Sequence, residues 1–316
     1  MEKKILFEIP ALYRDDFRIT GYTFGTGEQS ACVVGSLRGN ENQQLYVCAK
    51  LIERLKKLEA AGRIIEGKQI LVVPSANAYS MNIQKRFWGI DNTDVNRMFP
   101  GYNEGETTQR IAGGLFEAIK DYEYGMQFAS FYMPGHFVPH VRVMNVNDCM
   151  NGKLLRLAKD FGLPYVVSHE PRPFDTATLN YNWQVWETKA FSIYTTTTEE
   201  IDKESAEQAI KAILNFLGKQ GVIDYRGYDG YVSQVVGKND IVTVRNEDAG
   251  FIDLFVKAGE RVEKGQVLAQ IIDSYEGHMI RELISPVNGT ILFARNESKA
   301  YQKSAVFKII EEPEMW

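Results

Sequence analysis

The chain changes texture once, and that change limits what it can fold into more than any other feature. Up to about Gly221, apolar strand-like runs alternate with segments of helical period. After Tyr225 the helical period disappears. Short strands follow, punctuated by Gly227, Gly230, Gly237, Gly250, Gly259, Gly265, Gly277 and Gly289. Alternating strands and helices imply a layered α/β domain, and the glycine-spaced remainder implies a small all-β domain. The expected organisation is therefore α/β over residues 1–224 and all-β over residues 225–316.

Within the first part, residues 18–37 are strand-like. Asn40 can then cap a helix whose apolar face is Leu45, Cys48, Leu51, Ile52, Leu55 and Leu58, with Gly62 as its stop. Residues 69–73 read as a buried strand entering a loop at Pro74. A polar loop over residues 76–105 comes next, and its length marks it as functional, since loops beyond about 15 residues are uncommon in compact domains. Helical patterns cover residues 107–122, 153–161 and 202–217. Strand-like runs cover 126–133, 141–146, 165–168 and 191–197. The run TTTTEE at 195–200 reads as a strand end meeting a helix start, with acids favoured by the helix dipole.

Composition excludes several classes of function. The 316 residues carry 36 basic and 41 acidic side chains, a formal charge of −5, with no basic block able to track a phosphate backbone. Nucleic acid is not an expected partner. No run of about 18 apolar residues exists, and the N-terminal apolar stretch is broken by Glu8 and Arg14, so no membrane is expected and a cytoplasmic location is. Cys32, Cys48 and Cys149 form neither a disulfide framework nor a zinc knuckle. No G-x-S-x-G elbow or phosphate-binding loop occurs. No heptad or apolar stripe points to an oligomer. Histidine is scarce: His136, His140, His169 and His278 are all there are.

Three pieces remain. GSLRGNE places Gly35, Arg38, Gly39, Asn40 and Glu41 at a strand end opening a helix. VPSANAYSMNIQKRF then leads into DNTDVNRMFPG, with Asn77, Arg86, Asp94, Asn96, Arg97, Phe99, Pro100 and Gly101. The chain closes with VKAGERVEKGQVLAQII and SPVNGTILFA, which resemble the half-repeats of biotinyl and lipoyl domains, although no lysine between Lys264 and Lys299 could hold a carried cofactor. From about Ser30 to the end, the combination resembles the succinylglutamate desuccinylase and aspartoacylase family of the zinc carboxypeptidase superfamily. The resemblance implies a three-layer sandwich around a mixed sheet, a terminal barrel-sandwich domain, and zinc-dependent cleavage of N-acyl amides of small carboxylates.

In that family G-x-x-H-G-x-E gives a histidine and a glutamate to Zn²⁺, a later D-L-H gives a second histidine, and a glutamate on the last strand activates the bound water. Here Arg38 stands at the first histidine position and Glu41 keeps its place. No histidine precedes His136, so no local shift in alignment supplies an imidazole. A guanidinium has no lone pair to give a metal. The D-L-H register falls on Ala129, Ser130 and Phe131, and the general-base position falls on Tyr194, a poor base at neutral pH. Arg38, with Phe131, thus replaces the metal-facing groups, and an Arg38 to Glu41 ion pair is expected to substitute electrostatically for the cation.

A rearranged zinc site would use Glu41 with His136 or His140 and take Glu199 as base. In an extended strand His136 and His140 lie about 13 Å apart, so a turn would be required. His169 and His278 read as structural or exposed. The resemblance further implies that Asn96 and Arg97 grip a substrate carboxylate and that Arg86 faces the scissile carbonyl. The competing reading has Asn96 and Arg97 bracing the long loop, with Asp94 paired to an arginine. Two functions therefore stand: a non-catalytic relative with a pocket for a small carboxylate-bearing molecule, or a metal-dependent deacylase with a rebuilt site.

Overall fold

The computed structural model describes residues 1–12, 15–130, 133–146, 148–227 and 230–312. In chain order its elements are β1 (Glu2–Ile9), β2 (Phe17–Gly25), β3 (Gly27–Ser36), α1 (Asn42–Ala60), β4 (Gly67–Ser75), α2 (Ala78–Asn82), α3 (Thr107–Ile119), β5 (Tyr124–Phe128), β6 (Gly135–Phe137), β7 (His140–Met144), α4 (Asp148–Lys159), β8 (Tyr165–His169), α5 (Leu179–Val185), β9 (Lys189–Tyr194) and α6 (Lys203–Lys219). Among the described residues only strands and single turns follow: β10 (Gln234–Val236), β11 (Ile241–Arg245), β12 (Gly250–Leu254), β13 (Arg261–Val262), β14 (Val267–Ile272), β15 (Met279–Ile284), β16 (Gly289–Arg295), β17 (Lys299–Ala300) and β18 (Ala305–Glu311). The expected switch in texture is thus present.

Two compact units result, Met1–Ser130 with His140–Gln234, and Phe131–Pro139 with Val235–Trp316. The first unit runs on to Gln234 because Ser233 Oγ donates to Leu163 O at 2.6 Å and Gln234 N donates to Pro164 O at 2.9 Å.

The first unit is built on a mixed sheet of order β1-β2-β4-β3-β5-β9-β7-β8, closed by β10. β3 is parallel to β4 and β5, β5 is parallel to β9, and β7 runs antiparallel to β9. Alternation along each strand sorts side chains to two faces. Ala31 and Val33 of β3 and Ile70 and Val72 of β4 join the apolar layer under α1, α4 and α6. Cys32, Val34, Leu71 and Val73 join the opposite layer under α3 and α5. Because both faces are covered, the central strands read as continuous apolar runs rather than half-polar ones. Ala190 of β9 belongs to the second layer. By the same alternation Ser192 and Tyr194 face that side.

Several local expectations are corrected. Glu41, not Asn40, stands at the N-cap of α1, and its carboxylate makes no cap bond; the free Gln43 N–H donates instead to Thr198 O at 3.0 Å. The TTTTEE run does not open a helix, since β9 stops at Tyr194 and α6 begins at Lys203, capped by Asp202. The long loop contains α2 and a 3₁₀ turn at Val95–Arg97. β1, α5 and β6 were not foreseen from periodicity, and β6 and α5 are too short for a periodic signal.

In the second unit, β6 pairs with β16 in a five-stranded sheet of path β11-β18-β16-β13, while β15-β14-β12-β17 forms a four-stranded sheet. One apolar cluster, including Val244, Leu268, Ile271, Ile291 and Phe307, draws on both sheets. Among the described residues no helix is long and apolar enough to cross a membrane.

Two glycines explain why the quoted motifs are spelled as they are. A Cβ on Gly39 would lie 2.1 Å from Lys85 O, so only glycine lets the turn after β3 touch the start of the long loop. Gly101 has φ +97°, and a Cβ there would lie 2.0 Å from Gly113 N in α3. Gly101→Ala is expected to lower the free energy of unfolding in urea by roughly 2 kcal/mol or more, through strain and displacement of α3. Gly62→Ala, at φ +65° with open space around it, is the control and is expected to cost less. Equal costs would contradict the packing argument.

Candidate functional site

β3, β5 and β9 run parallel, and their carboxyl ends meet where open α/β sheets usually bind ligands. The turn leaving β3 carries Arg38, which is only 4% exposed, and Glu41, which is 1% exposed. Arg38 Nη1 donates to Glu41 Oε1 at 3.0 Å and to Ser130 Oγ at 3.3 Å. Its Nε and Nη2 both reach Asp94 Oδ2, at 3.0 and 2.8 Å. One guanidinium thus ties the β3 turn, the end of β5 and the long loop together.

Glu41 is correspondingly saturated. Oε2 accepts from the backbone N–H groups of Leu37 at 2.8 Å and Arg38 at 3.1 Å, and Oε1 accepts from Arg38 and from the Ser130 hydroxyl. Burial alone would lower the Arg38 pKa, but the charges of Glu41 and Asp94 outweigh it and hold the group above its ordinary value. The side chain stays cationic at every accessible pH.

The motif arginines and amides are placed around this cluster. Asp94 Oδ1 accepts from Asn96 N at 3.0 Å, and Asn96 Oδ1 accepts from Leu179 N at 3.0 Å, so Asn96 braces the start of α5. Arg97 spends one N–H on Asn96 O at 2.9 Å, and its Cζ lies 5.9 Å from the centre of the exposed Phe174 ring. Arg86 is half-buried; its carbonyl accepts from Gly39 N at 2.9 Å and its guanidinium lies 5.7 Å from the Phe87 ring centre. Trp88 packs against Phe17 and Tyr79 within the core.

Among the described residues no group of three or more His, Cys, Asp or Glu side chains is placed to hold a metal ion. His136 sits on β6, opposite Ala294, in the second unit. His140 is buried in β7, stacked on Tyr194 with ring centres 4.5 Å apart and planes 5° apart. Glu199 is exposed and accepts from Asn40 Nδ2 at 2.8 Å. Phe131 lies outside the described residues. His169 Nδ1 lies 3.3 Å from Val143 O, and His278 is exposed beside Glu276.

Sequence reasoning missed Arg142, which pairs with Ser192 across β7 and β9 and donates from Nη1 to the Tyr194 hydroxyl at 3.2 Å. A cationic residue inside the apolar run HVRVM was the available signal. It also missed Arg172, whose guanidinium lies 5.8 Å from the Phe174 ring centre.

Two outcomes follow from this electrostatic arrangement. Arg38→Met strands the buried Glu41 carboxylate and the half-buried Asp94 carboxylate and is expected to destabilise by about 3 kcal/mol in urea unfolding, with partial recovery on adding Glu41→Gln. An unchanged midpoint would show that the pair carries no such role. His169 is held down to about 4, by burial first and then by the Arg142 and Arg172 charges, against the opposing pull of Val143 O and Asp175. The unfolded chain therefore binds the extra proton first. Stability should fall by about 3 kcal/mol between roughly pH 6.5 and 4, and His169→Gln should remove that part of the pH dependence.

Comparison with known proteins agrees with this architecture. The model of the succinylglutamate desuccinylase/aspartoacylase catalytic domain matches residues 28–219. A similar curated protein is the N-alpha-acetyl-L-2,4-diaminobutyric acid deacetylase of Halomonas elongata, 24% identical over 278 residues, covering 82% of this chain and 73% of that one. Among solved structures, a succinylglutamate desuccinylase/aspartoacylase from Rhodobacter sphaeroides superposes with a TM-score of 0.81 at 18% identity, covering 99% of this chain and 96% of its own. The product-bound ectoine utilization protein EutE (DoeB) from Ruegeria pomeroyi gives 0.82 at 18% identity, with 98% and 95% covered. With its catalytic-domain model spanning well over half of its length, the chain belongs to the succinylglutamate desuccinylase/aspartoacylase family.

Proposed function

We propose that this family member binds a small carboxylate-bearing molecule and does not run the family's metal-dependent hydrolysis. The observation that supports this most directly is the buried Arg38 cluster. Zinc does not fit the donor set, for a chemical reason. Arg38 offers no lone pair, Phe131 stands in the register of the second histidine, and both oxygens of Glu41 already accept hydrogen bonds. Tyr194, at the general-base position, is held by Arg142 and His140. In this reading Arg38 keeps a positive charge in the site without an exchangeable coordination position. Arg97 supplies the planar fork that grips the ligand carboxylate, Asn96 sets its position, and Arg86 lines the same loop. The second unit is read as a barrel-sandwich domain without a carrier lysine.

A second reading is favoured by the activity of the Halomonas relative: a deacylase of N-acyl amino acids whose metal is held by Glu41 and a histidine. His140 would have to leave its stack on Tyr194 to serve.

Metal analysis after equilibration with Zn²⁺ and desalting separates the two. No stoichiometric zinc is expected, for the wild type or for Arg38→His, because Phe131 still stands at the second ligand position. Stoichiometric zinc with hydrolysis of N-acyl amino acids would overturn the proposal. Small carboxylates are expected to raise the melting temperature, and Arg97→Ala to abolish the rise. A wild type unmoved by a broad carboxylate panel would remove the pocket.

A further inference from the structure

Between α1 and α6 the first unit holds a cavity that none of the family-motif residues lines. The first turns of the two helices are locked together: Gln43 Nε2 donates to Asp202 O at 2.9 Å and to Ser205 Oγ at 3.1 Å, while Asp202 N donates back to Gln43 Oε1 at 3.0 Å. Further along, Arg54 Nη2 reaches both carboxylate oxygens of Glu207, at 3.1 and 3.2 Å. These ties hold the helices at a set separation, and the groove between them has a volume of about 360 Å³.

Helical spacing explains what lines it, since residues three, four and seven apart share one face of a helix. From α1 the groove takes Tyr46, Lys50, Glu53 and Lys57, and from α6 it takes Lys203, Ala206 and Ile210. Ala206 and Ile210 are buried members of the apolar layer, and Tyr46 is half-buried against it. The floor is therefore apolar and aromatic, and the rim is charged. Four cations, Lys50, Arg54, Lys57 and Lys203, stand against two carboxylates, Glu53 and Glu207. Lys57 at 2.8 Å and Lys50 at 3.1 Å share Glu53 and hold its carboxyl down to about 2, and Arg54 takes Glu207. Lys203 is in no ion pair among the described residues. Two positive charges are thus left over, on a chain whose net charge is −5. Charge of one sign above a low-dielectric floor focuses attraction on an anion, and a cavity of this size with an apolar base and a few polar groups at its edge has the make-up of a small-ligand pocket.

We infer that the groove between α1 and α6 is a second binding site, sharing no residue with the carboxylate pocket, for a phosphate monoester carried on a planar or apolar body. Such a group holds about −1.5 to −2 charges near neutral pH, which matches the surplus on the rim. Lys203 and its neighbouring lysines act as point charges on the phosphate, and the body lies on Tyr46 and Ile210. Nucleotides and aryl phosphates share this chemistry. The inference does not depend on the carboxylate-binding reading.

The test is calorimetry on the full chain at low salt with AMP, phenyl phosphate, ribose 5-phosphate and adenosine. Wild type is expected to bind AMP, phenyl phosphate or both at least about tenfold more tightly than ribose 5-phosphate, which lacks the planar body, and adenosine, which lacks the charge. The tighter of the first two identifies the body. Lys203→Gln is expected to weaken that binding about tenfold, whereas Lys56→Gln, which removes the same charge from α1 outside the groove, leaves it unchanged. Glu53→Gln frees Lys50 and Lys57 and is expected to tighten it. All three positions are exposed, so the variants keep the fold. Arg97→Gln is expected to leave it unchanged, which separates the groove from the carboxylate pocket. AMP and phenyl phosphate bound no more tightly than the other two probes, equal losses from Lys203→Gln and Lys56→Gln, no gain from Glu53→Gln, or a loss from Arg97→Gln alone would each overturn the site in the groove.

Discussion

A single buried guanidinium organises the first unit where its parallel strands end. Arg38 spends its donors on Glu41, Asp94 and Ser130, which come from the helix start, the long loop and the end of β5. Taking three charges out of water is costly, and such a cluster persists only when its geometry is close to complete. The backbone donors of Leu37 and Arg38 finish the coordination of Glu41. What results is a fixed centre rather than an adaptable one. Its worth lies in specifying one arrangement of three segments more than in net stability.

A cation of this kind differs from a metal in what it can do to a ligand. A metal ion with an open position exchanges partners and acidifies what it binds. A guanidinium whose donors are taken by carboxylates offers only its field. In the proposed reading the polarity of the site is kept and its capacity to activate water is not, and Arg97, with donors to spare, carries the recognition. Phe174, lying between Arg97 and Arg172, adds an aromatic face to the same rim.

Much of the architecture was legible because it rests on periodicity. The face Cys48, Leu51, Ile52 and Leu55 of α1 and the runs at β3, β4 and β9 were visible as patterns, and the layered α/β fold followed from their alternation. Short elements were not legible: β6 has three residues and α5 seven, too few for any period to show. The site divided along similar lines. Arg38 and Glu41 could be paired from a spacing of three residues, whereas Asp94 and Ser130 reach Arg38 from 56 and 92 positions away. Arg142 was passed over because its significance depends on the strand opposite it, and cross-strand register is a property of the folded sheet.

The excursion of β6 bears on how the molecule comes into being. Its partner β16 begins at Gly289, so the segment around Gly135 is synthesised long before the strand it pairs with. Chains emerge at about 5 to 20 residues per second, so this short strand waits many seconds with an unpaired edge. Neither unit is a contiguous stretch of chain, since the backbone crosses between them at residues 130, 139 and 234. Cutting the gene after residue 234 would therefore not release a finished module. It would leave the first unit carrying a strand that belongs to its neighbour, and deprive the neighbour of an edge that its own sequence does not encode.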